Sequence, residues 1–262
     1  MDRLKIAVAA RCFPGPLKRS LQVIAQSGAR GVQFDARNEL KSADFSETGR
    51  RQFLHFLDEV GLSVASLSFP SGRPLFDPEH LEARIAALKS VMQFSAQLKC
   101  RVVTLRVGRI PDDAALPSYK MLIDILNDLC RYGNHVGSTL AITPTSDSAE
   151  ILKRLIVAVT EGPVGVNFDP AVFVMSGQDV IGSMRTLHDV LIHIQVRDAI
   201  RDIDGEGQEV PVGQGEVDWP HLLALIEESA YRGWLTADRT AGEDRAGDVI
   251  RAVEFLRQLA QG

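Results

Sequence analysis

Cysteine is scarce in this chain of 262 residues: three occur, Cys12, Cys100 and Cys130, widely spaced and with no Cys-x-x-Cys pair. That argues against a disulfide framework and a cysteine zinc site, and points to a reducing compartment. Long apolar runs are missing too. No stretch approaches the roughly 20 residues of a membrane span, and the apolar run near the N-terminus is too short for a signal peptide. A basic excess is also lacking. With 29 Lys and Arg against 34 Asp and Glu, the net charge is −5, and a binder of nucleic-acid backbones would carry the opposite balance to displace counterions. Neither Gly-x-Ser-x-Gly nor His-Glu-x-x-His occurs, which leaves serine and zinc hydrolase readings unsupported. No Gly/Ser or Pro-rich linker and no low-complexity tract marks a boundary, so residues 1–262 are expected to form a single domain. These absences together predict a cytoplasmic protein.

What is present is an alternation. Short β-branched or apolar runs at residues 4–9, 31–35, 62–68, 101–107, 139–142, 164–168, 191–196 and 234–237 read as strands. Between them lie segments with apolar residues at helical spacing, such as Leu17, Leu21 and Ile24, or Leu122, Ile125 and Leu129. The third helix is expected to start at Asp77-Pro78, a capping residue followed by proline. Residues 197–218 form a polar, glycine-rich excursion after the seventh strand. Eight strand-helix pairs imply an α/β protein that closes as a (β/α)8 TIM barrel, with an open doubly wound sheet as the alternative. A barrel places its chemistry at the C-terminal strand ends.

Those ends are polar and rich in arginine. Arg11, Asp35, Arg37, Arg73, Arg106 and Arg109 follow the first four strands, and Asp169, Gln195, Arg197, Asp198, Asp238 and Arg239 the last three. Guanidinium groups converging on one mouth favour a carboxylate or phosphate ligand, which their planar fork binds through two oxygens. The competing reading is that the acids pair with these arginines and hold the loops. Phe13 and Phe173 lie in predicted loops at the same face, placed to close over a ligand. His193, two residues before Gln195 and on the same face of its strand, reads as a barrel-interior histidine.

Three segments carry a family resemblance: VGVNFDPAVF at the sixth strand, LIHIQVRDA at the seventh, and the stretch from Pro211 to Arg239. In the last, Val212, Gly213, Gly215, Val217, Asp218, Tyr231 and Gly233 match an ordered pattern. Over essentially its whole length the chain resembles the xylose isomerase-like barrels, which include sugar phosphate isomerases and epimerases and endonuclease IV-type proteins. The resemblance implies a divalent metal (Mg2+, Mn2+, Co2+ or Zn2+) held by a glutamate, an aspartate, a histidine and a glutamate from strands five to eight. It also implies proton transfer next to a sugar carbonyl. The corresponding positions here are Thr143, Asp169, Gln195 and Asp238. Two neutral side chains thus replace an anion and an imidazole, and the expected site is degraded, holding at most a weakly bound Mg2+, Mn2+ or Zn2+.

The expectation is therefore an isomerase- or epimerase-like protein of carbohydrate metabolism. Asp169 and Asp238 are its proton-transfer pair, and Arg11, Asp35, Arg37, Arg106, Gln195, Arg197 and Arg239 bind its substrate. The alternative is a non-catalytic barrel that binds a small anionic carbohydrate. An endonuclease is disfavoured by the acidic balance. The expected partner is a small anionic or sugar-like molecule, not nucleic acid and not a membrane, and oligomer formation stays open.

Overall fold

The computed structural model describes residues 4–202 and 204–260. Eight parallel strands close on themselves: β1 (Lys5–Ala9), β2 (Gly31–Asp35), β3 (Ser63–Phe69), β4 (Val102–Leu105), β5 (Thr139–Ile142), β6 (Val164–Phe168), β7 (Leu191–Val196) and β10 (Trp234–Ala237). Each pairs with its neighbours in chain order, and β10 returns to β1 through Lys5 opposite Trp234 and Val8 opposite Ala237. That closure decides between the two topologies: the sheet is a TIM barrel with no open edge.

The helices lie outside, as parallel strands require: α1 (Leu17–Gln26), α2 (Glu47–Glu59), α3 (Leu81–Gln97), α4 (Pro117–Val136), α5 (Ala149–Ala158), α6 (Pro170–Met175), α7 (Val180–Leu187), α8 (Trp219–Glu228) and α9 (Arg245–Leu259). Several begin at side-chain caps; Ser46, Ser148, Asp179, Asp218 and Asp244 each accept a hydrogen bond from a backbone amide of the first turn. Apolar residues such as Leu21, Ile24, Leu122, Leu126, Leu152 and Leu222 are buried between helices and sheet. No helix among the described residues is long and apolar enough to cross a membrane.

Three local expectations are corrected. The third helix starts at Leu81 rather than at Asp77-Pro78. Asp77 spends its carboxylate on the Glu79 amide at 2.9 Å and His80 adopts φ 55°, so the capping-type residue makes a turn that the helix follows. The fourth strand is shorter than expected, ending at Leu105. The excursion after the seventh strand contains an antiparallel hairpin, β8 (Asp198–Arg201) with β9 (Gly207–Val210), and Pro170 opens the short α6 beneath it.

Asp198 explains the glycine-rich pattern. It is fully buried and accepts from the amides of Ala199 (2.9 Å), Gly213 (2.9 Å) and Val217 (3.2 Å) and from the Trp219 indole (3.0 Å). A Cβ at Gly215 would collide with its Oδ1 and with the Ala199 carbonyl. Tyr231 donates to the Ile192 and Trp234 carbonyls, at distances of 3.2 and 3.1 Å, and a Cβ at Gly233 would strike its hydroxyl. The most distinctive stretch of the chain is thus a folding device that ties the excursion to β7 and β10. Asp198 belongs to that device and not to a ligand site.

Candidate active site

Period-two alternation builds the site. Along β2, Gln33 and Asp35 fall on one face; along β3, Ser66 and Ser68; Asn167 and Asp169 continue β6, and His193, Gln195 and Arg197 continue β7. Thr236 and Asp238 do the same for β10. In a closed barrel that face points inward. The upper members line a cavity of about 210 Å³ at the C-terminal strand ends, with Arg11, Thr104, Arg106, Thr143 and Thr240 among its walls.

Two ion pairs dominate it, one reaching solvent through Arg11 and one buried. Arg11 grips both oxygens of Asp238, with Nε donating to Oδ1 at 2.9 Å and Nη2 to Oδ2. Gln195 Nε2 adds a bond to Asp238 Oδ2 at 2.9 Å, the Arg239 amide reaches Oδ1 at 2.9 Å, and the Cys12 thiol lies 3.5 Å from Oδ1. Burial pushes Asp238 upward, but the Arg11 guanidinium, then the charge of Arg197 and the Gln195 amide, outweigh it and hold the carboxyl below the usual carboxylate range. Both oxygens are therefore committed. Cys12 beside it is pushed up to about 12, by burial first and the Asp238 charge second, so it is a thiol and no nucleophile.

The second pair is Arg197 with Asp169. Nη1 donates to Asp169 Oδ2 at 2.6 Å, while Nε donates to Glu209 Oε1 at 3.2 Å and Nη2 to Thr240 Oγ1 at 3.3 Å. Burial works against this cation, but Asp169 and Glu209 outweigh it and raise its pKa above the ordinary arginine value. Arg197 is a permanent charge. Asp169 Oδ1, by contrast, is buried and has no hydrogen-bond partner among the described residues.

Several expectations change here. Of the seven rim arginines, Arg11, Arg106 and Arg197 line the cavity. Arg239 does not line the cavity: it bonds Asp248 on α9 at 3.0 Å and pairs with Glu209 of the hairpin at 3.7 Å. Arg37 lies over the Phe69 ring and donates to the Pro70 carbonyl at 3.0 Å, lining a neighbouring groove. Arg73 pairs with Asp77 and Glu79, and Arg109 with Asp112. Asp35 does line the cavity, yet its oxygens hold the Arg37 and Asn38 amides and the Asn38 side chain at 2.8 to 3.0 Å, the loop-holding role. Phe13 and Phe173 are buried in the core, Phe173 stacked on Phe168 with ring centroids 5.1 Å apart, and neither closes over the cavity. His193 is the interior histidine expected, fully buried.

Glu209, Gln33, Ser66 and Asn167 are not among the residues expected from the sequence. Gln33, Ser66 and Asn167 had a signal, each a polar residue inside an apolar strand two positions before a polar strand end. Glu209 had none, since it comes from the excursion after the seventh strand.

The four positions aligned with the family's metal ligands do converge: Thr143, Asp169, Gln195 and Asp238 all line the cavity. Their chemistry does not suit a divalent cation. Guanidinium groups already stand on both carboxylates, Gln195 turns its amide nitrogen to Asp238, and the Thr143 hydroxyl accepts from Asn167 Nδ2 at 2.8 Å. No cluster of three or more His, Cys, Asp or Glu side chains able to hold a metal exists among the described residues.

The xylose isomerase-like TIM barrel family model matches residues 21–259. The chain belongs to that family. A xylose isomerase domain protein from Planctomyces limnophilus superposes with a TM-score of 0.86 at 23% identity, covering 98% of this chain and 97% of that one. The 3-keto-D-glucoside 4-epimerase of E. coli follows at 0.77 and 17%, covering 97% and 99%. A xylose isomerase-like barrel from Mycobacterium smegmatis, solved in complex with magnesium, gives 0.79 and 15%, covering 98% and 96%. A search of curated proteins finds no sequence match. At these identities the structural likeness establishes the fold.

Proposed function

We propose that the cavity binds a sugar or sugar acid and moves a proton next to its carbonyl without a metal ion. The observation that carries this is the divided state of Asp169: Oδ2 is held by Arg197, and Oδ1 has free lone pairs in a cavity-lining residue. Asp169 removes a proton from the carbon beside the carbonyl. The C–H electron pair becomes the enediolate double bond, and the carbonyl oxygen takes the negative charge. Arg197 faces that charge as a fixed cation, the role an electrophilic metal plays in other enzymes. Return of the proton from Asp169 to the former carbonyl carbon, with the neighbouring hydroxyl proton passing to the enediolate oxygen, isomerises the sugar; delivery of a solvent proton to the opposite face of the original carbon, with Asp169 releasing its own proton to solvent, epimerises it. Asp238, both oxygens bonded, stays a fixed anion that orients Arg11 and Gln195.

Proton exchange tests this without knowledge of the product. Ketoses and sugar acids are incubated in D2O with chelator-treated protein and followed by NMR. Solvent deuterium enters the carbon next to the carbonyl with the wild type and not with Asp169→Asn. No exchange on any substrate, or exchange restored only by added Mn2+ or Mg2+, overturns the proposal. The commitment of Asp238 favours one other reading, a barrel that binds its sugar ligand without turnover; binding without exchange is its signature.

A further inference from the structure

A chain of buried hydrogen bonds runs below the cavity floor, and its direction can be worked out. The Thr236 hydroxyl is fully buried and its one partner among the described residues is His193 Nε2 at 2.9 Å. The hydroxyl proton has no other acceptor among the described residues, so Nε2 accepts. Ser66 Oγ, 3.1 Å from the same nitrogen, accepts from Gln33 Nε2 at 2.8 Å, and its proton has no other acceptor among the described residues, so it too is donated to the ring. A ring nitrogen that accepts carries no proton, so the fully buried ring is neutral and holds its one proton elsewhere. With Nε2 accepting, that proton sits on Nδ1 and is donated to Asn167 Oδ1 at 2.7 Å. Asn167 then presents Nδ2 to Thr143 Oγ1 at 2.8 Å. Thr143 accepts, and its own proton finds no acceptor among the described residues although the side chain lines the cavity.

Beside Thr143 stands Arg106. The Thr143 amide bonds the Leu105 carbonyl at 2.8 Å, which fastens the two strand ends together. Arg106 is exposed, lines the cavity, and has no ion-pair or hydrogen-bond partner among the described residues. Arg11 is balanced by Asp238, and Arg197 by Asp169 and Glu209. The β4/β5 side of the mouth thus offers one uncompensated positive charge and one outward hydroxyl proton. Asp35 stands across β3 with its oxygens facing N–H groups, so the negative charge of the wall is kept away from this side.

We infer that Arg106 and the Thr143 hydroxyl form a carboxylate-binding subsite, so that the ligand is a sugar acid held by its carboxylate end. The inference rests on the sugar-site reading above and narrows it. A carboxylate suits the pair because its two oxygens meet a planar guanidinium and a hydroxyl donor, and its single charge matches the single free cation. A phosphate monoester carries closer to two charges. His193 is a positioning residue, since it turns Thr143 into a donor without touching the ligand.

Calorimetric titration with D-gluconate, D-glucose and D-glucose 6-phosphate tests the subsite on the wild type, Arg106→Gln, Thr143→Val and Thr143→Ser. Gluconate is expected to bind tightest, to weaken about tenfold or more in Arg106→Gln and Thr143→Val, and to recover in Thr143→Ser, as loss of one charge-assisted bond requires. Glucose binding should not respond to Arg106→Gln. Arg106 is exposed, so its variant folds and keeps the test open even where Thr143→Val does not fold. Equal binding of glucose and gluconate, preference for the phosphate, indifference to Arg106→Gln, or no gluconate binding at millimolar concentration each overturns the subsite. Gluconate binding that depends on Arg106, with no C–H exchange on any sugar, keeps the subsite and removes the proton-transfer reading. Exchange on a neutral ketose that Arg106→Gln leaves intact does the reverse.

Discussion

Arg197 holds Asp169 by a single oxygen, Nη1 to Oδ2 at 2.6 Å, and leaves Oδ1 buried without a partner. Arg11 holds Asp238 by both. Two acids at matching strand ends are thereby given different duties: one keeps a free lone pair, and the other is locked.

Removing the locking partners should cost unequal amounts. Arg197→Met leaves Asp169 and Glu209 buried without their cation, and is expected to destabilise the fold by about 3–5 kcal/mol. Arg11→Gln leaves Asp238 its Gln195 and backbone bonds, and Arg11 is partly exposed, so its cost should be clearly smaller. Urea midpoints of the two variants check the ordering; equal values would show that the pairs are energetically alike.

Proton transfer should depend on Asp169 far more than its shape alone explains. Asp169→Asn keeps the volume and loses the base, and a drop of about 10²–10⁴-fold in exchange rate is expected. NMR-monitored exchange against Asp169→Glu, which retains the carboxylate, separates chemistry from packing.

Acid should unfold the protein in two stages. The His193 ring has a folded pKa near 3 against an ordinary 6.5, so the unfolded chain binds a proton there that the native chain does not. Stability accordingly falls as pH drops from about 6.5 to about 3, by roughly 1.4 kcal/mol per pH unit from this residue. Asp238 and Glu209 are held below the ordinary carboxylate range, so their contributions are present above that range and are lost as pH falls below it. His193→Gln should flatten the upper stage alone in a series of denaturation curves. A wild-type profile already flat between pH 4 and pH 6 would contradict the burial of a neutral ring.

All three cysteines should be silent in the native state. Cys12, Cys100 and Cys130 are buried, and burial pushes each thiol up to about 12. Thiol titration is expected to find none reactive at pH 8 in buffer and three in denaturant. A fast-reacting native thiol would mean that the Cys12 region opens.

Gly215→Ala should disrupt the excursion, because the added methyl meets Asp198 Oδ1 and the Ala199 carbonyl. Loss of the bonds gathered on Asp198 is expected to cost more than about 3 kcal/mol, measurable by thermal melting.

Sequence alone determined the alternation of strands and helices, and with it the barrel, because periodicity is a local property that burial imposes on every strand and helix. The bounds of β2, β5, β6, β7 and β10 agree with that reading. Asp169, Gln195 and Asp238 were legible as strand-end residues for the same reason. What only the tertiary structure decided was the partnership of each charge. Arg239 and Arg197 look alike in the chain, yet Glu209 arrives from a hairpin thirty residues from one and twelve from the other and pairs with both, while Arg197 also holds Asp169 at the cavity and Arg239 holds Asp248 on α9. Hydrogen-bond direction is likewise non-local: a buried hydroxyl on β10 sets the proton of His193 on β7, which sets Asn167 on β6 and finally Thr143 beyond β5. Polar pairing in a barrel runs across strands, perpendicular to the chain, so the order of residues does not contain it.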